Sequence, residues 1–328
     1  MNLTDYFKNK KIYCVTDIDL DGISSNLLTR LYIKPIAEIY NYTITFDRQM
    51  SEFDKEYCNN SDIIIFIDLA PPLEMYQNLI QQGKEVFIFD HHETHYKELS
   101  DIVPEDHYFY YIDKCASKIF FDEIMKGRRV SKCAYQYIEL VNTYDTWQQQ
   151  SYLWKDAEKL QDIMYEYINW GDNTLTNNTR SNFFINKQIE KIEKGKHFYF
   201  TQYEEKLYLN AKLKKERNLN AAKKSLQIRT DNSGNKYGYF ECNAKISIIA
   251  NLLLKEFPEL VYIVGYATFL STYKNEKNGN ISLRTIRDDF AVNTIAELWS
   301  GGGHSQASGL ELPEKEFNEF KKGMIHLI

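Results

Sequence analysis

Three short apolar runs in this chain each end in aspartate, and that repeat limits the folds open to it. Lys11–Thr16 (KIYCVT) leads into Asp17-Ile18-Asp19-Leu20-Asp21-Gly22, Ile63–Ile67 (IIIFI) leads into Asp68, and Val86–Phe89 (VFIF) leads into Asp90-His91-His92. A short apolar run cut off by polar residues reads as a core strand buried on both faces, the kind found in parallel sheets. In an open parallel sheet the carboxyl ends of the strands lie side by side, and ligands bind there. The repeat therefore predicts one cluster of Asp17, Asp19, Asp21, Asp68, Asp90, His91 and His92. An exposed turn with two histidines would explain residues 90–92 alone, but not the same design three times.

Such a cluster has an electrostatic cost. Two carboxylates 4 Å apart repel by about 4 kcal/mol at an effective dielectric of 20. Five of them would overcome the roughly 5–15 kcal/mol that holds an ordinary domain together. They must protonate, spread apart or hold cations, and cations are the simplest answer. Carboxylates with a histidine suit manganese or magnesium better than zinc, which favours thiolate and imidazole. Several aspartates around one pocket can bridge two ions about 3.5–4 Å apart, the arrangement that hydrolyses phosphoesters.

The rest of the chain sets the frame. Its 328 residues suit two domains, and 43% hydrophobic residues supply real cores. No apolar segment reaches membrane-spanning length, and the N-terminus MNLTDYFKNKK has no apolar signal core, so a cytoplasmic protein without a membrane partner is expected. The five cysteines (Cys14, Cys58, Cys115, Cys133, Cys242) form no CxxC pair and read as packing residues. A net charge of −6 argues against gripping long duplex DNA through its backbone, although it leaves room for a local basic patch. Most of the 25 tyrosines belong in cores or half-buried surface, with a few open to stacking on bases.

In chain order, strand Lys11–Thr16 is followed by a helix over Ile23–Tyr32, with Gly22 making the tight turn between them. Ser24 and Ser25 then fall in the first helical turn, as caps or as an anion site. Strands follow at Tyr42–Phe46, Ile63–Asp68, Glu85–Phe89 and Tyr108–Ile112. Helices are expected at Leu73–Gln82, Ala116–Met125 and Ser131–Tyr144. The alternation of strands and helices predicts a doubly wound α/β layer. Asp145 closes the last of these helices as a solvated cap or a fourth carboxylate site. Residues 151–225 read mostly as helix, broken by the polar run Gly171–Arg180. The basic run Ala211–Ser225 is a solvated helix face or a phosphate-tracking patch.

From Leu226 the character changes. Strands are expected at Leu226–Thr230, Tyr237–Cys242, Leu260–Ser271, Asn280–Ile286 and Ser308–Leu312, with a turn at Asn278-Gly279. Helices are expected at Ser247–Glu256, Asn293–Trp299 and Glu314–Ile328. The chain is thus divided into an α/β parallel-sheet domain (1–180), a helical connector (181–225) and a smaller α/β domain (226–328), with the active site in the cleft between the two domains. In the smaller domain Gly301-Gly302-Gly303-His304 is either a flexible linker or a loop whose backbone N–H groups approach an anion. Arg284 is either a surface strand residue or a two-pronged phosphate ligand.

Taken together, TDIDLDG (Thr16–Gly22), IDL (Ile67–Leu69), DHH (Asp90–His92), YDTW (Tyr144–Trp147) and GGGH (Gly301–His304) resemble the DHH phosphoesterases with a C-terminal DHH-associated domain. The match spans nearly the whole chain in the family's order, and looks most like the NrnB-like oligoribonuclease branch. The D-x-D-x-D-G signature is shared with the RecJ nucleases. The resemblance implies that Asp19 and Asp21 each hold one of two manganese ions, that Asp68 and Asp145 contact or bridge both, and that His91 binds the second. It implies that His92 contacts the scissile phosphate or leaving oxygen, with Asp90 orienting the histidines. Arg284, His304 and Gly301–Gly303 would grip the substrate's phosphates. Some branches place a histidine four residues before the first paired aspartate. That position here is Val15, and Asp17 would take over its role.

The expected activity is a manganese-dependent phosphodiesterase, with magnesium as the other candidate ion, trimming short single-stranded RNA or DNA to mononucleotides. A homodimer is compatible with this reading. The alternatives are a RecJ-like exonuclease on single-stranded DNA, a cyclic mononucleotide or dinucleotide phosphodiesterase, a 3′-phosphoadenosine phosphatase and, from another class, a non-catalytic nucleotide-binding protein.

Overall fold

The strand β3 (Ile63–Ile67) is inaccessible along its whole length, and it sits at the centre of the N-terminal sheet. In the computed structural model, which describes residues 2–44, 55–168, 174–242, 246–267 and 279–328, the chain forms two units, Met1–Leu209 and Asn210–Ile328. The first contains α1 (Leu3–Tyr6), β1 (Lys11–Thr16), α2 (Leu20–Leu28), β2 (Glu38–Thr43), α3 (Lys55–Asn59), β3, α4 (Leu73–Gln81), β4 (Glu85–Asp90), α5 (Glu93–Leu99), β5 (Tyr108–Tyr110), α6 (Ala116–Ile124), α7 (Lys132–Asp145), α8 (Trp154–Ile168) and α9 (Thr174–Lys194). The helix α10 (Gln202–Ser225) carries the chain into the second unit.

The five strands run parallel in the order β2-β1-β3-β4-β5, the doubly wound arrangement expected. The period-2 geometry of a strand divides its side chains between the two faces. Ile63, Ile65 and Ile67 join Ile12, Cys14, Phe87 and Phe89 against α2, α6 and α7. Ile64 and Phe66 join Tyr13, Val15 and Ile88 on the other face, against Met75, Tyr76 and Leu79 of α4. Helices on both faces explain why the middle residues of β1, β3 and β4 include no charged side chain.

The second unit holds a six-stranded sheet in the order β10-β11-β9-β8-β7-β6. Its strands are β6 (Gln227–Thr230), β7 (Lys236–Glu241), β8 (Tyr262–Ala267), β9 (Gly279–Arg284), β10 (Gly302–His304) and β11 (Ala307–Leu312). The β7–β8 pair is parallel and the others are antiparallel. The helix α11 (Ile246–Glu256) packs through Ile249 and Leu253 on one face. The other face is covered by α12 (Val292–Glu297) and α13 (Glu314–Lys321), through Ile295 and Phe320.

The structure departs from the sequence reading in several places. The first helix starts three residues early, at Leu20, because Asp19 rather than a serine caps it. The second strand spans Glu38–Thr43, pairing Lys11 with Glu38; residues 45–46 of the expected strand lie outside the described residues. So do 171–173 of the polar break, 268–271 of the expected strand and Asn278 of the expected turn. The closing helix stops at Lys321, two residues before Gly323 enters the left-handed region at φ 71°. The short strand β10 was not foreseen, since Gly-Gly-His carries no strand propensity. All five cysteines are free and buried, and no helix among the described residues is long and apolar enough to cross a membrane.

Candidate metal centre and phosphate-binding residues

Register brings the acids together. Thr16 pairs with Ile67 and Ile67 with Phe89, so Asp17, Asp68 and Asp90 emerge abreast at the carboxyl edge of the sheet. In this strand order the chain reverses its winding direction between β1 and β3, where doubly wound folds bind ligands. Asp68 turns the chain at once: its φ is 67°, a left-handed conformation that aspartate tolerates better than most residues, and its amide donates to Phe89 O at 3.0 Å. Holding a non-glycine residue there costs about 1–3 kcal/mol, which is strain stored at the edge where the acids meet.

The imidazole of His91 stands between two of these chain-distant carboxylates. Its Nε2 is 3.5 Å from Asp68 Oδ1 and 3.4 Å from Asp145 Oδ2, which α7 delivers as its last residue. Asp68 Oδ2 and Asp145 Oδ2 are buried with no hydrogen-bond partner among the described residues. Burial raises Asp68 well above the usual carboxylate range, and Asp19, Asp21, Asp145 and Asp17 push the same way. Asp145 is raised chiefly by burial, against the pull of His91. Burial opposes charging of His91, but Asp145, Asp21, Asp90 and Asp19 prevail and raise it. Buried carboxylate oxygens without a hydrogen-bond partner, and carboxyls driven towards neutrality by one another, mark a donor set whose charge a cation would balance. Among the described residues ligand atoms lie within 4.8 Å of one another in three groups, Asp68/His91/His92, Asp21/His91/Asp145 and Asp90/His92/His95. The donor set therefore fits a divalent metal.

Asp21 and Asp19 also hold the frame. Asp21 is fully buried, and its two oxygens accept the amides of Ala116 at 2.7 Å and Ser117 at 2.9 Å, which open α6. A carboxylate oxygen has two lone-pair sites, so these bonds leave room for a metal. Asp19 caps α2 by accepting the Gly22 amide at 3.0 Å. Burial and Asp21 raise its carboxyl, partly offset by the Gly22 amide and a hydrogen bond with Asp68. Asp17 and Asp19 belong to none of the ligand groups formed by the described residues.

Gly22 is required for a reason other than a turn: a Cβ there would stand 2.1 Å from Asp17 O, inside the helix that the loop folds over. Ser24 and Ser25 lie beyond the first turn and are fully buried, so they neither cap the helix nor face an anion. Ser24 Oγ instead meets Tyr137 Oη at 2.8 Å, and Ser25 Oγ donates to Asp21 O at 3.0 Å.

Asp90 is fully buried and engaged on both oxygens. Oδ1 accepts the amides of His91 and His92 and bonds His92 Nδ1 at 2.7 Å; Oδ2 bonds Nδ1 of His95 at 2.6 Å. Burial alone would raise this acid, but the two imidazoles hold it well below the usual carboxylate range. A charged carboxylate only accepts, so both Nδ1 atoms carry protons, and in the neutral rings both Nε2 atoms are acceptors. His95 was not foreseen. Its signal was the helix α5, which starts immediately after His92 and puts His95 on the same face by i,i+3 spacing.

In the second unit Arg284 is half-buried on β9. Its Nη1 donates to Leu283 O at 2.7 Å and Ser308 O at 3.2 Å, and its Nη2 to Ser247 Oγ at 2.5 Å. Burial lowers its pKa to about 10. No carboxylate pairs with it among the described residues, so the fork is aimed by neutral groups and its charge stays available to an anion. Ser247, the other residue that the sequence reading missed, lies on α11. Gly301–Gly303 is a packed edge rather than a linker. A Cβ on Gly301 would fall 2.3 Å from Gly309 O, and Gly303 has φ 133°, whereas nothing lies within 4 Å of the corresponding position on Gly302. Gly302, Gly303 and His304 are exposed.

Comparison with known proteins agrees with this architecture. The DHHA1 domain model matches residues 234–328. The oligoribonuclease NrnB of Bacillus subtilis (strain 168) is 28% identical over 312 residues, covering 92% of this chain and 73% of that protein. A 3′,5′-cyclic-nucleotide phosphodiesterase of Helicobacter pylori is 24% identical over 348 residues, covering 91% of this chain and 92% of that protein. The fold is shared with RecJ of Thermus thermophilus, solved in complex with Mn2+, at TM-score 0.57 and 15% identity over 98% of this chain and 52% of that one. With a DHHA1 domain over residues 234–328, a DHH run at the end of β4 and a doubly wound parallel sheet, the chain is similar over nearly its whole length to the DHH phosphoesterases.

Proposed function

We propose that this protein is a metal-dependent phosphodiesterase that hydrolyses short single-stranded oligonucleotides, RNA before DNA, to mononucleotides. The observation that carries the reading is the pair of carboxylates flanking the His91 imidazole, Asp68 and Asp145, each with one buried oxygen, Oδ2, that has no hydrogen-bond partner among the described residues. Asp17, Asp19, Asp21, Asp68, His91 and Asp145 are the residues assigned to hold two divalent ions, manganese in preference to magnesium. When bound, such ions lower the pKa of water and stabilise charge on phosphoryl oxygens.

The remaining roles fall to the chain itself. Asp90 takes the proton on His92 Nδ1 as a hydrogen bond and so fixes the ring. His92 Nε2 then faces the substrate, where as imidazolium it donates to a phosphoryl oxygen or supplies a proton to the leaving oxygen. Arg284, His304 and the backbone of Gly301–Gly303 bind a phosphate of the substrate. The oligoribonuclease relative supports oligonucleotides as the substrate class. The cyclic-nucleotide phosphodiesterase relative, matched over 92% of its own length, supports a second reading in which the bond cut is a cyclic phosphodiester.

A panel of short RNA, long single-stranded DNA, cyclic mononucleotides and dinucleotides, and 3′-phosphoadenosine phosphate, each with manganese, separates these readings. Short RNA should turn over fastest. Asp68→Asn, which keeps a residue tolerant of the left-handed backbone, should lower turnover by about 100-fold or more, as expected for loss of several kcal/mol of charge stabilisation. Wild-type rates in that variant, or preference for another substrate, would overturn the assignment.

A further inference from the structure

Trp147 is unusual in three ways. It lies two residues past Asp145, at the position after the end of α7 where helices commonly place glycine. Its φ is 57°, a left-handed conformation that an L residue with a bulky side chain adopts at a cost. It also remains 40% exposed, although it is one of only four tryptophans.

The backbone around it is held firmly. Trp147 N donates to Tyr144 O at 3.1 Å, Gln148 N to Thr143 O at 3.0 Å, and Gln149 N to Trp147 O at 2.8 Å. The indole meets Trp154 at 5.1 Å and 76°, and Tyr144 at 6.0 Å and 69°. Tyr144 and Trp154 are themselves near-parallel, 5.7 Å apart. Trp147 is thus braced by two aromatic rings near right angles to it while part of its surface stays open. Glycine would satisfy this helix end without strain, so packing of the backbone does not explain an indole here. A rigid, partly open aromatic ring is a platform for another flat ring.

We propose that Trp147 is a nucleobase-stacking residue, binding a base next to the phosphodiester that is cut. The proposal rests on the oligonucleotide reading above and adds a subsite to it. Two residues of chain span at most about 7 Å, so the Cα of Trp147 stands within about 7 Å of that of Asp145, and a base stacked on the indole belongs to a nucleotide near that carboxylate. Every nucleobase has a π-face, so such a platform binds bases with little regard to sequence. That suits an enzyme degrading mixed short oligonucleotides.

The test compares a dinucleotide with its abasic tetrahydrofuran analogue, each with manganese, in wild-type protein, Trp147→Gly and Trp147→Phe. Glycine accepts the left-handed backbone, so Trp147→Gly removes the ring and relieves the strain together. In wild type the base should favour kcat/KM by about 5- to 100-fold, the range of base–aromatic stacking. In Trp147→Gly the preference should collapse to within about twofold, with Trp147→Phe between. A base preference retained in Trp147→Gly overturns the stacking role and leaves the phosphodiesterase reading intact. Failure of wild-type protein to cleave either dinucleotide overturns both.

Discussion

Asp90 Oδ2 accepts a hydrogen bond from His95 Nδ1 at 2.6 Å, while Oδ1 of the same carboxylate takes His92 Nδ1 at 2.7 Å. One buried acid therefore orients two imidazoles, only one of which belongs to the DHH run. Replacing His95 by leucine would strand Oδ2, at a cost of about 1–3 kcal/mol. Outer partners of this kind typically change affinity or activity by about 10–100-fold. His95→Leu should lower the melting temperature and reduce kcat by about tenfold with KM little changed. His95→Asn, whose amide can still donate, should recover part of the loss. Steady-state kinetics on a short RNA with thermal melts check both.

Without metal, pH should erode stability from above. Asp19, Asp68 and Asp145 are all raised by burial first and by like charges next, while His91 is raised by acids that outweigh its burial. A group with a raised folded pKa contributes stability that is complete below its unfolded value and disappears as pH climbs through the folded one. The loss begins above 3.8 for the carboxyls and above 6.5 for His91. Asp90, lowered, works in the opposite sense, losing its contribution only as pH falls below the ordinary carboxylate value. The melting temperature in chelator should therefore fall from about pH 6 to about pH 8. Manganese should remove the slope and add about 2.7 kcal/mol at 100 times its dissociation constant. Scanning calorimetry at several pH values, with and without the ion, reads both effects.

How much of this was legible in the sequence follows from what each element depends on. The strands β1, β3 and β4 were readable because burial on both faces leaves an uninterrupted apolar run, and the acids mark where each run leaves the core. That Asp145 would reach His91 was not readable from residue types, because the end of α7 is placed by packing against α2 and α8 rather than by local sequence. His95 was missed because HHETH reads as a polar turn until α5 is known to begin at Glu93. The strand β10 was invisible because glycine carries no strand preference, and only pairing with β11 gives it one.

Arg284 offers a test confined to the second unit. Its guanidinium is directed by two carbonyls and the Ser247 hydroxyl, none of which neutralises it. Hydrogen bonds to charged groups contribute about 1.5–3 kcal/mol. Arg284→Ala should raise KM by about 10- to 100-fold with a smaller change in kcat. Arg284→Lys should recover only part, since a point charge lacks the fork. Ser247→Ala should raise KM a few-fold by loosening the fork alone. Equal KM values across the series would remove Arg284 from the substrate site.

Gly302 and Gly303 separate folding from binding within one strand. A Cβ on Gly303 would lie 2.6 Å from Ala307 O and 2.7 Å from Ser308 Cα, and its φ of 133° disfavours any side chain. Gly303→Ala should therefore destabilise the β10–β11 hairpin by about 1–3 kcal/mol. A Cβ on Gly302 meets nothing within 4 Å, so Gly302→Ala should leave stability within about 0.5 kcal/mol of wild type. If phosphate approaches the backbone here, the new methyl stands in its way and KM should still rise by several-fold. Unchanged stability with raised KM in Gly302→Ala is the signature of a substrate-contacting edge. Unchanged values of both would reduce the glycine run to a packing role, in which Gly301 and Gly303 serve only to let β10 lie close against β11.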